Sequence, residues 1–374
     1  MIYFIKYYIY RIMCNITFGR IREFFRTQKY NTKSERNNIL KIKTLFKNFK
    51  PITYPHSYQQ NFILFDYYFP KIYKLYGVNL GDFIQTIAVK NIVSTLYPSI
   101  NIINYDREHL SLYDGVKAYT IMQGWFAHDT NFIPNNNILP IYIGTHLSEN
   151  MRNFISNLKR YKPKYLKNKT IGCRDLNTLE FLQTLGVDAY FSRCLTLTFP
   201  KRKIVNGQNK VFIVNLPEQY HKFIPIGILK DAEIINQRHI DVGYESKEYL
   251  NTHKYLNKAE KLLNKYSKEA KLVITTLLHC ASPCIAMGIP VVLIRPEITD
   301  ERFSVLDGII KIYNYDDLKS GNINYDLKAP NIENLKKLML RNVELSVKQA
   351  FNEDVNLQEL INVRENISNY KSND

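Results

Sequence analysis

The sequence predicts an α/β protein built from two domains, each a parallel sheet wrapped by helices. Three observations carry this. Short apolar runs without polar alternation recur along the chain, as strands buried on both faces do. Helical periodicity or a glycine-marked turn separates them in both halves, the pattern of β-α-β units. The 374 residues exceed the usual size of one domain, so two are expected.

The clearest unit is Lys271–Ile294. The runs Leu272–Thr275 and Val291–Ile294 flank a segment with room for about two or three helical turns. Gly288 can cap that helix, and Pro290 stops it. Pro283 leaves two ways to begin it. It starts near Leu278 and kinks at Pro283, or Ser282 is the N-cap and Pro283 takes the favoured first position. Either way His279 falls just past the carboxyl end of the first strand. It is the only side chain of the unit that titrates near neutral pH. In open α/β sheets, ligands bind at that edge.

The other elements follow in chain order. Residues 1–50 hold 12 Lys+Arg against 2 Asp+Glu, interleaved with aromatics such as Tyr7, Tyr8, Phe24 and Phe25. Such a segment can lie in a membrane interface beside anionic lipid. The alternative is a helix packed on the body with a solvated basic face. Asn61–Phe65 reads as the first buried strand. Asn79-Leu80-Gly81-Asp82-Phe83-Ile84-Gln85 is a turn opening a helix that runs to about Leu96. Free N–H groups at such a start suit an anion, and Asp82 can equally be an N-cap. Ile100–Asn104, Val116–Met122 and Pro140–Thr145 read as strands, and Met151–Leu158 as a helix. Trp125, the only tryptophan, follows the second of these strands in a glycine-aromatic corner. It is a sugar platform or a core residue. Lys169–Asp175 is a strand entering a turn, Asn177–Leu185 a helix capped by Gly186, and Ala189–Phe191 a strand. Arg174 and Asp175 sit at a strand–helix junction, as a ligand clamp or as a local pair that fixes the turn.

Pro200–Lys210, polar and basic, reads as the domain boundary. Lys210–Asn215 restarts the strands. Ile224–Ile240 holds another and ends in Arg238-His239-Ile240, so His239 can face the cleft. Tyr249–Tyr266 is a helix, Lys311–Asn314 a last strand, and Ile332–Leu345 and Leu357–Tyr370 C-terminal helices. The expected division is therefore residues 1–50, a domain over 51–205, a domain over 206–325, and helices over 326–374. Two Rossmann-like domains in tandem with a cleft between them match a GT-B-like architecture.

Net charge is +17 overall, but residues after 50 carry only +39 against −32. That mild excess suits an anionic substrate. With no nucleic-acid signature present, no nucleic-acid partner is expected. Five cysteines without a C-x-x-C spacing argue against a disulfide framework and for a reducing, cytoplasmic compartment. The segment MIYFIKYYIYRIM does not read as a secretory signal. No apolar run approaches the ~20 residues of a bilayer span. Asp-x-Asp, G-x-G-x-x-G, P-loop and H-E-x-x-H patterns are all missing. A metal site, a dinucleotide cofactor and P-loop chemistry are therefore not expected. Cys280 and Cys284 read as small core residues.

Four stretches together resemble the polysaccharide pyruvyl transferase family. They are Asn79–Gln85, then Gln123-Gly124-Trp125-Phe126, then Ile171-Gly172-Cys173-Arg174-Asp175 running to Cys194-Leu195-Thr196-Leu197-Thr198, and Val273–Pro290 around Leu278-His279-Cys280. The resemblance spans about residues 60–310. It implies a transferase that moves the pyruvyl group of phosphoenolpyruvate onto two sugar hydroxyls as a cyclic ketal, within polysaccharide or glycan biosynthesis. Phosphoenolpyruvate would be the donor substrate, a sugar or glycan the acceptor, and no cofactor would be needed. Where the family pattern carries a basic residue two before the histidine, this chain has Leu277, so that cation must come from elsewhere or is lost. His279 is the expected proton-transfer residue and Arg174 the anion clamp. Asn79, Gly81, Asp82, Gln85, Trp125, Asp175 and His239 are expected to contact substrate. The competing readings are a GT-B glycosyltransferase with a nucleotide-sugar donor and a non-catalytic glycan-binding protein.

Overall fold

A computed structural model of the chain describes residues 2–47, 49, 60–67, 78–204, 206–239, 252–296 and 301–372. The expected starts of two elements, residues 51–59 of the first domain and 249–251 of the long helix, lie outside these, as does Ile240.

The described fold is mixed α/β with three sheets that are parallel throughout and one antiparallel ribbon. In the first half, β1 (Asn61–Asp66) lies between β3 (Asn101–Asp106) and β4 (Ala118–Ile121), and β6 (Ile138–Ile141) follows at the edge. One expected strand is broken in two, and another is followed by a strand that was not expected. The 116–122 run is β4, and β5 (Gly124–Phe126) follows it; the 140–145 run is split between the end of β6 and the start of β7 (Thr145–Leu147). The glycine-aromatic corner is thus itself a strand. Beside β7 lie β8 (Ile171–Cys173) and β9 (Ala189–Phe191), in the order β5-β7-β8-β9. Met122 N donates to Ile141 O at 2.8 Å and Gly124 N to Gly144 O at 3.2 Å, so bonding carries across the bend.

The bend has a local cause. Gly144 takes φ +75°, a conformation that costs little only without a Cβ. A Cβ there would meet Gln123 Oε1 at 3.0 Å. The buried Gln123 amide fills the corner, with Nε2 donating to Gln85 O at 3.3 Å and Oε1 accepting from Leu195 N at 2.8 Å. The segment Leu195–Thr198 is a short 3-10 turn.

The second half holds five parallel strands: β10 (Lys210–Val214), β11 (Ala232–Ile235), β13 (Ala270–Thr275), β14 (Val291–Arg295) and β15 (Ile312–Asn314). Their order is β11-β10-β13-β14-β15. Strand order reverses between β10 and β13, which opens a crevice at the carboxyl ends. The ribbon pairs β2 (Val78–Asn79) with β12 (Arg238–His239) and so joins the two halves. Leu80 N also donates to Gln237 O at 3.1 Å.

Helices cover the sheets: α3 (Leu80–Leu96), α4 (Glu149–Tyr161), α5 (Pro163–Leu166), α6 (Leu176–Thr184), α7 (Ile226–Leu229), α8 (Thr252–Glu269), α9 (Leu278–Ala286) and α10 (Tyr315–Lys319). The C-terminal helices α11 (Glu333–Ala350) and α12 (Leu357–Ser368) return to the first half. Tyr190 Oη lies 2.9 Å from Asn342 Nδ2, and Ser368 Oγ donates to Phe191 O at 3.2 Å. Arg193, buried at φ +58°, fastens this return. Its guanidinium donates to the carbonyls of Val305, Asp307, Ile367 and Tyr370 at 2.8–3.3 Å. The N-terminal residues form a helical hairpin, α1 (Ile2–Ile16) and α2 (Gly19–Lys47). Ile42 and Leu45 of α2 are buried in the main core. That core runs through both halves, and a smaller one underlies the other face of the β10–β15 sheet.

Candidate active site

A cavity of about 120 Å³ opens where carboxyl ends of strands from both halves meet. The first half contributes Asn79, Asp82, Trp125 and Arg174; the second contributes Gln237, Arg238, Thr276–His279, Arg295, Arg302 and Phe303. Four arginines thus face one carboxylate across the lining. Such a wall favours a small polyanion.

His279 is placed by a broken helix start. Helix α9 begins at Leu278, but His279 itself has φ −85° and ψ 19°, in the bridge region where active-site residues often sit. Pro283 lies inside α9 and has no N–H for the His279 carbonyl four residues back. Gln237 Nε2 takes that place, donating to His279 O at 3.2 Å. Of the two possible starts, the chain therefore uses Leu278, with the irregularity at His279. The preceding loop is tied down by Thr276 Oγ1 donating to Asn215 O at 3.0 Å and by Leu277 N donating to Thr275 Oγ1 at 3.1 Å.

His279 is half-buried, and its Nε2 is shut from solvent with no hydrogen-bond partner. Burial first, then the charges of Arg174, Arg302 and Arg107, push its pKa well below the usual imidazole value. The ligand-free ring is neutral at pH 7, and any anion that screens those arginines raises its proton affinity.

Arg174 is the second centre. It is buried, its Nη1 donates to the neutral Gln85 Oε1 at 3.3 Å, and its Nε has no partner. Burial pulls the pKa of the guanidinium down. A charge held by an amide instead of a carboxylate is left to be matched by a bound anion. Gln85 is oriented by donating to Asp82 Oδ1 at 3.2 Å. Asp82 in turn lies 3.5 Å from Arg107 Nη1, and Arg107 pairs with Glu108 at 2.8 Å. Against burial, Glu108 and Asp82 hold the Arg107 pKa above its ordinary range.

The structure brings together Asn79, Asp82, Trp125, Arg174 and His279 of the residues singled out from sequence. Asn79, not Asp82, is the N-cap of α3, its Oδ1 accepting from Gly81 N at 3.0 Å. Gly81 and Gln85 lie behind the lining. Gly81 permits close contact, since a Cβ there would come 3.0 Å from His279 Cβ. Asp175 does not line the cavity. It is buried, bonds His146 Nδ1 at 2.5 Å and caps α6 through Thr178 N at 2.9 Å. So the Arg174–Asp175 turn is fixed by Asp175 and His146, while Arg174 points elsewhere. The backbone of His239 pairs with Val78; its side chain is outside the described residues.

Gln237, Arg238, Arg295 and Arg302 were not singled out from sequence. Arg295 is the most informative. It ends β14, the same kind of strand edge that pointed to His279. Its Nη1 donates to Thr276 O at 2.8 Å, and its guanidinium lies 4.2 Å from the Phe303 ring centre. A cation is thereby delivered beside the uncharged Leu277. Arg302 and Phe303 arrive from a 3-10 turn, Glu301–Leu306, held by Arg193 and by Leu176 N donating to Ser304 Oγ at 3.0 Å.

The arrangement can bind a small dianion or trianion, exchange a proton at one imidazole nitrogen, and offer an aromatic face and a carboxylate to a polar co-substrate. The family model described as polysaccharide pyruvyl transferase matches residues 79–297, more than half of the chain. Neither the curated proteins nor the solved structures contain a match.

Proposed function

The chain belongs to the polysaccharide pyruvyl transferase family, and on that premise we propose that it moves the pyruvyl group of phosphoenolpyruvate onto two hydroxyls of a sugar, forming a cyclic ketal. One observation carries the reading: the buried Arg174 guanidinium, without a carboxylate partner, together with the unpartnered His279 Nε2. A phosphorylated carboxylic acid supplies the anion that the first lacks and the acid–base work for the second. The cavity of about 120 Å³ holds on the order of ten water-sized groups. That is the size of a phosphorylated three-carbon acid and well below a nucleotide-sugar.

In this mechanism Arg174, Arg295 and Arg302 hold the carboxylate and phosphate. The bound phosphate offsets the arginine charges, and His279 becomes protonated. It delivers that proton to the methylene carbon, which becomes the methyl group, and C2 takes on oxocarbenium character. A first sugar hydroxyl attacks C2 and returns its proton to His279. The C–O bond to phosphate then breaks, a second hydroxyl attacks, and its proton leaves with inorganic phosphate. One hydroxyl proton has replaced the one given to carbon, and the other departs with phosphate, so the protons balance. Trp125 offers its face to the acceptor ring, and Asp82 and Asn79 bond its hydroxyls.

The test is mass spectrometry of a sugar acceptor panel after incubation with phosphoenolpyruvate, alongside thermal melting. The expected results are a pyruvyl mass increment on one acceptor and a higher melting temperature with phosphoenolpyruvate but not with UDP or GDP. Stabilisation by a nucleotide alone would overturn the donor assignment.

A further inference from the structure

We propose that the α1–α2 hairpin docks the protein on an anionic lipid bilayer, with α1 lying in the plane of the interface. Ile2, Ile5, Ile9, Ile12 and Ile16 recur at three- and four-residue spacing, which puts them on one side of the helix. Each is 50–66% exposed, and Phe18, in the turn after them, is 77% exposed. The opposite side of α1 meets α2. Tyr10 packs against Phe25 with ring centres 6.2 Å apart, Tyr3 Oη donates to Glu35 at 2.9 Å, and Cys14 is buried. The isoleucine ridge therefore faces outward, and a continuous exposed apolar ridge marks an interaction surface.

Charge selects the occupant. Lys6 and Arg11 of α1 and Arg20 and Arg26 of α2 are exposed on the hairpin. Of the two acidic residues in 1–50, Glu35 is already engaged by Tyr3 and Arg160. An apolar ridge on a strongly basic hairpin fits an anionic headgroup layer, with the isoleucines below the phosphates and the cations of the hairpin at their level. At 15 residues, α1 is about 22 Å long, short of the ~30 Å hydrocarbon core. Among the described residues no helix is long and apolar enough to cross a membrane. The ridge spacing also fits a coiled-coil seam with a second copy. It supplies only about two heptads, however, where three to four are needed. Two such basic hairpins would also repel each other.

The test is flotation of the full chain with phosphatidylcholine vesicles, with and without phosphatidylglycerol. The protein is expected to float with the phosphatidylglycerol vesicles. It should be released as salt rises from about 0.1 M to about 1 M, which shortens the Debye length from about 10 Å to 3 Å. Ile9→Asp with Ile12→Asp, both on the outward side, should cut the bound fraction at least about ten-fold at unchanged melting temperature. Arg11→Gln, Arg20→Gln and Arg26→Gln together should weaken binding to the anionic vesicles only. Absence of flotation, or flotation untouched by the isoleucine changes, overturns the proposal. So does sedimentation velocity showing an oligomer that those changes convert to monomer.

Discussion

A Cβ at Gly81 would sit 3.0 Å from His279 Cβ and 3.2 Å from its Nδ1. The glycine lies within the first turn of α3, where alanine is the better helix former by about 1 kcal/mol. Gly81→Ala should therefore separate stability from activity. The helix gains propensity, while the imidazole is displaced by a few tenths of an ångström or more from the position facing the cavity. The expected outcome is a melting temperature within a few degrees of the parent and a fall of about 10- to 100-fold in kcat for phosphate release, since small misplacements of a reacting group cost that much. KM for phosphoenolpyruvate should move less, because the arginines proposed to hold the anion are untouched. Equal losses of stability and activity would instead mark Gly81 as a packing residue. From sequence, Gly81 reads as a glycine that bares the helix start to an anion. In the structure that role belongs to contact across the two halves, which no local pattern reveals.

At the scale of elements, the decisive feature is the entry to α9. Pro283 withholds the N–H that would close the helix onto the His279 carbonyl, and Gln237 from the strand-connecting segment supplies a donor at 3.2 Å. The β11–β12 and β13–α9 connections thus meet at one carbonyl. Pro283→Ala restores the intrahelical donor, and interior proline costs about 3 kcal/mol relative to alanine. The variant should melt no lower than the parent. Its phosphate-release rate should nonetheless fall about ten-fold or more, because His279 moves toward regular helical geometry and away from the cavity. Unchanged kinetics would show that the bridge-region conformation of His279 has no part in turnover. The β-α-β unit around these residues was legible because its strands are short, apolar and bounded by Gly288 and Pro290. The two-way choice of helix start was legible as a choice, but its resolution depends on Gln237, some 40 residues away. The corner at Gln123-Gly124 was legible from its glycine, but the bend at Gly144 was not, since an apolar run looks alike whether the sheet is straight or folded over a buried amide. Arg295 was within reach of the strand-edge rule; Arg302 was not, because a short 3-10 turn held by Arg193 carries it in.

Taken whole, the molecule concentrates positive charge on one half-buried histidine from several elements: Arg174 after β8, Arg107 after β3 and Arg302 after β14. His146 and His128 are also held below the usual imidazole value, mainly by burial. For a base whose folded pKa is depressed, the unfolded chain binds more protons. Ligand-free stability should therefore fall as pH drops through about 6.5, the unfolded value, and keep falling until the folded groups titrate. Thermal melting between about pH 8 and pH 5 should show this decline. His279→Gln, which keeps a neutral polar side chain, should make it shallower. Phosphoenolpyruvate should oppose it, since a phosphate among the arginines raises the His279 pKa and couples binding to proton uptake. The phosphate carries its own proton with a pKa of about 6, so the measurement must be a difference. Calorimetry in two buffers of unlike ionisation enthalpy should give a proton count for binding near pH 7 that is more positive in the parent than in His279→Gln. Equal counts in the two proteins would mean that His279 does not sense the bound anion, and the proton delivered to carbon would have to come from another group.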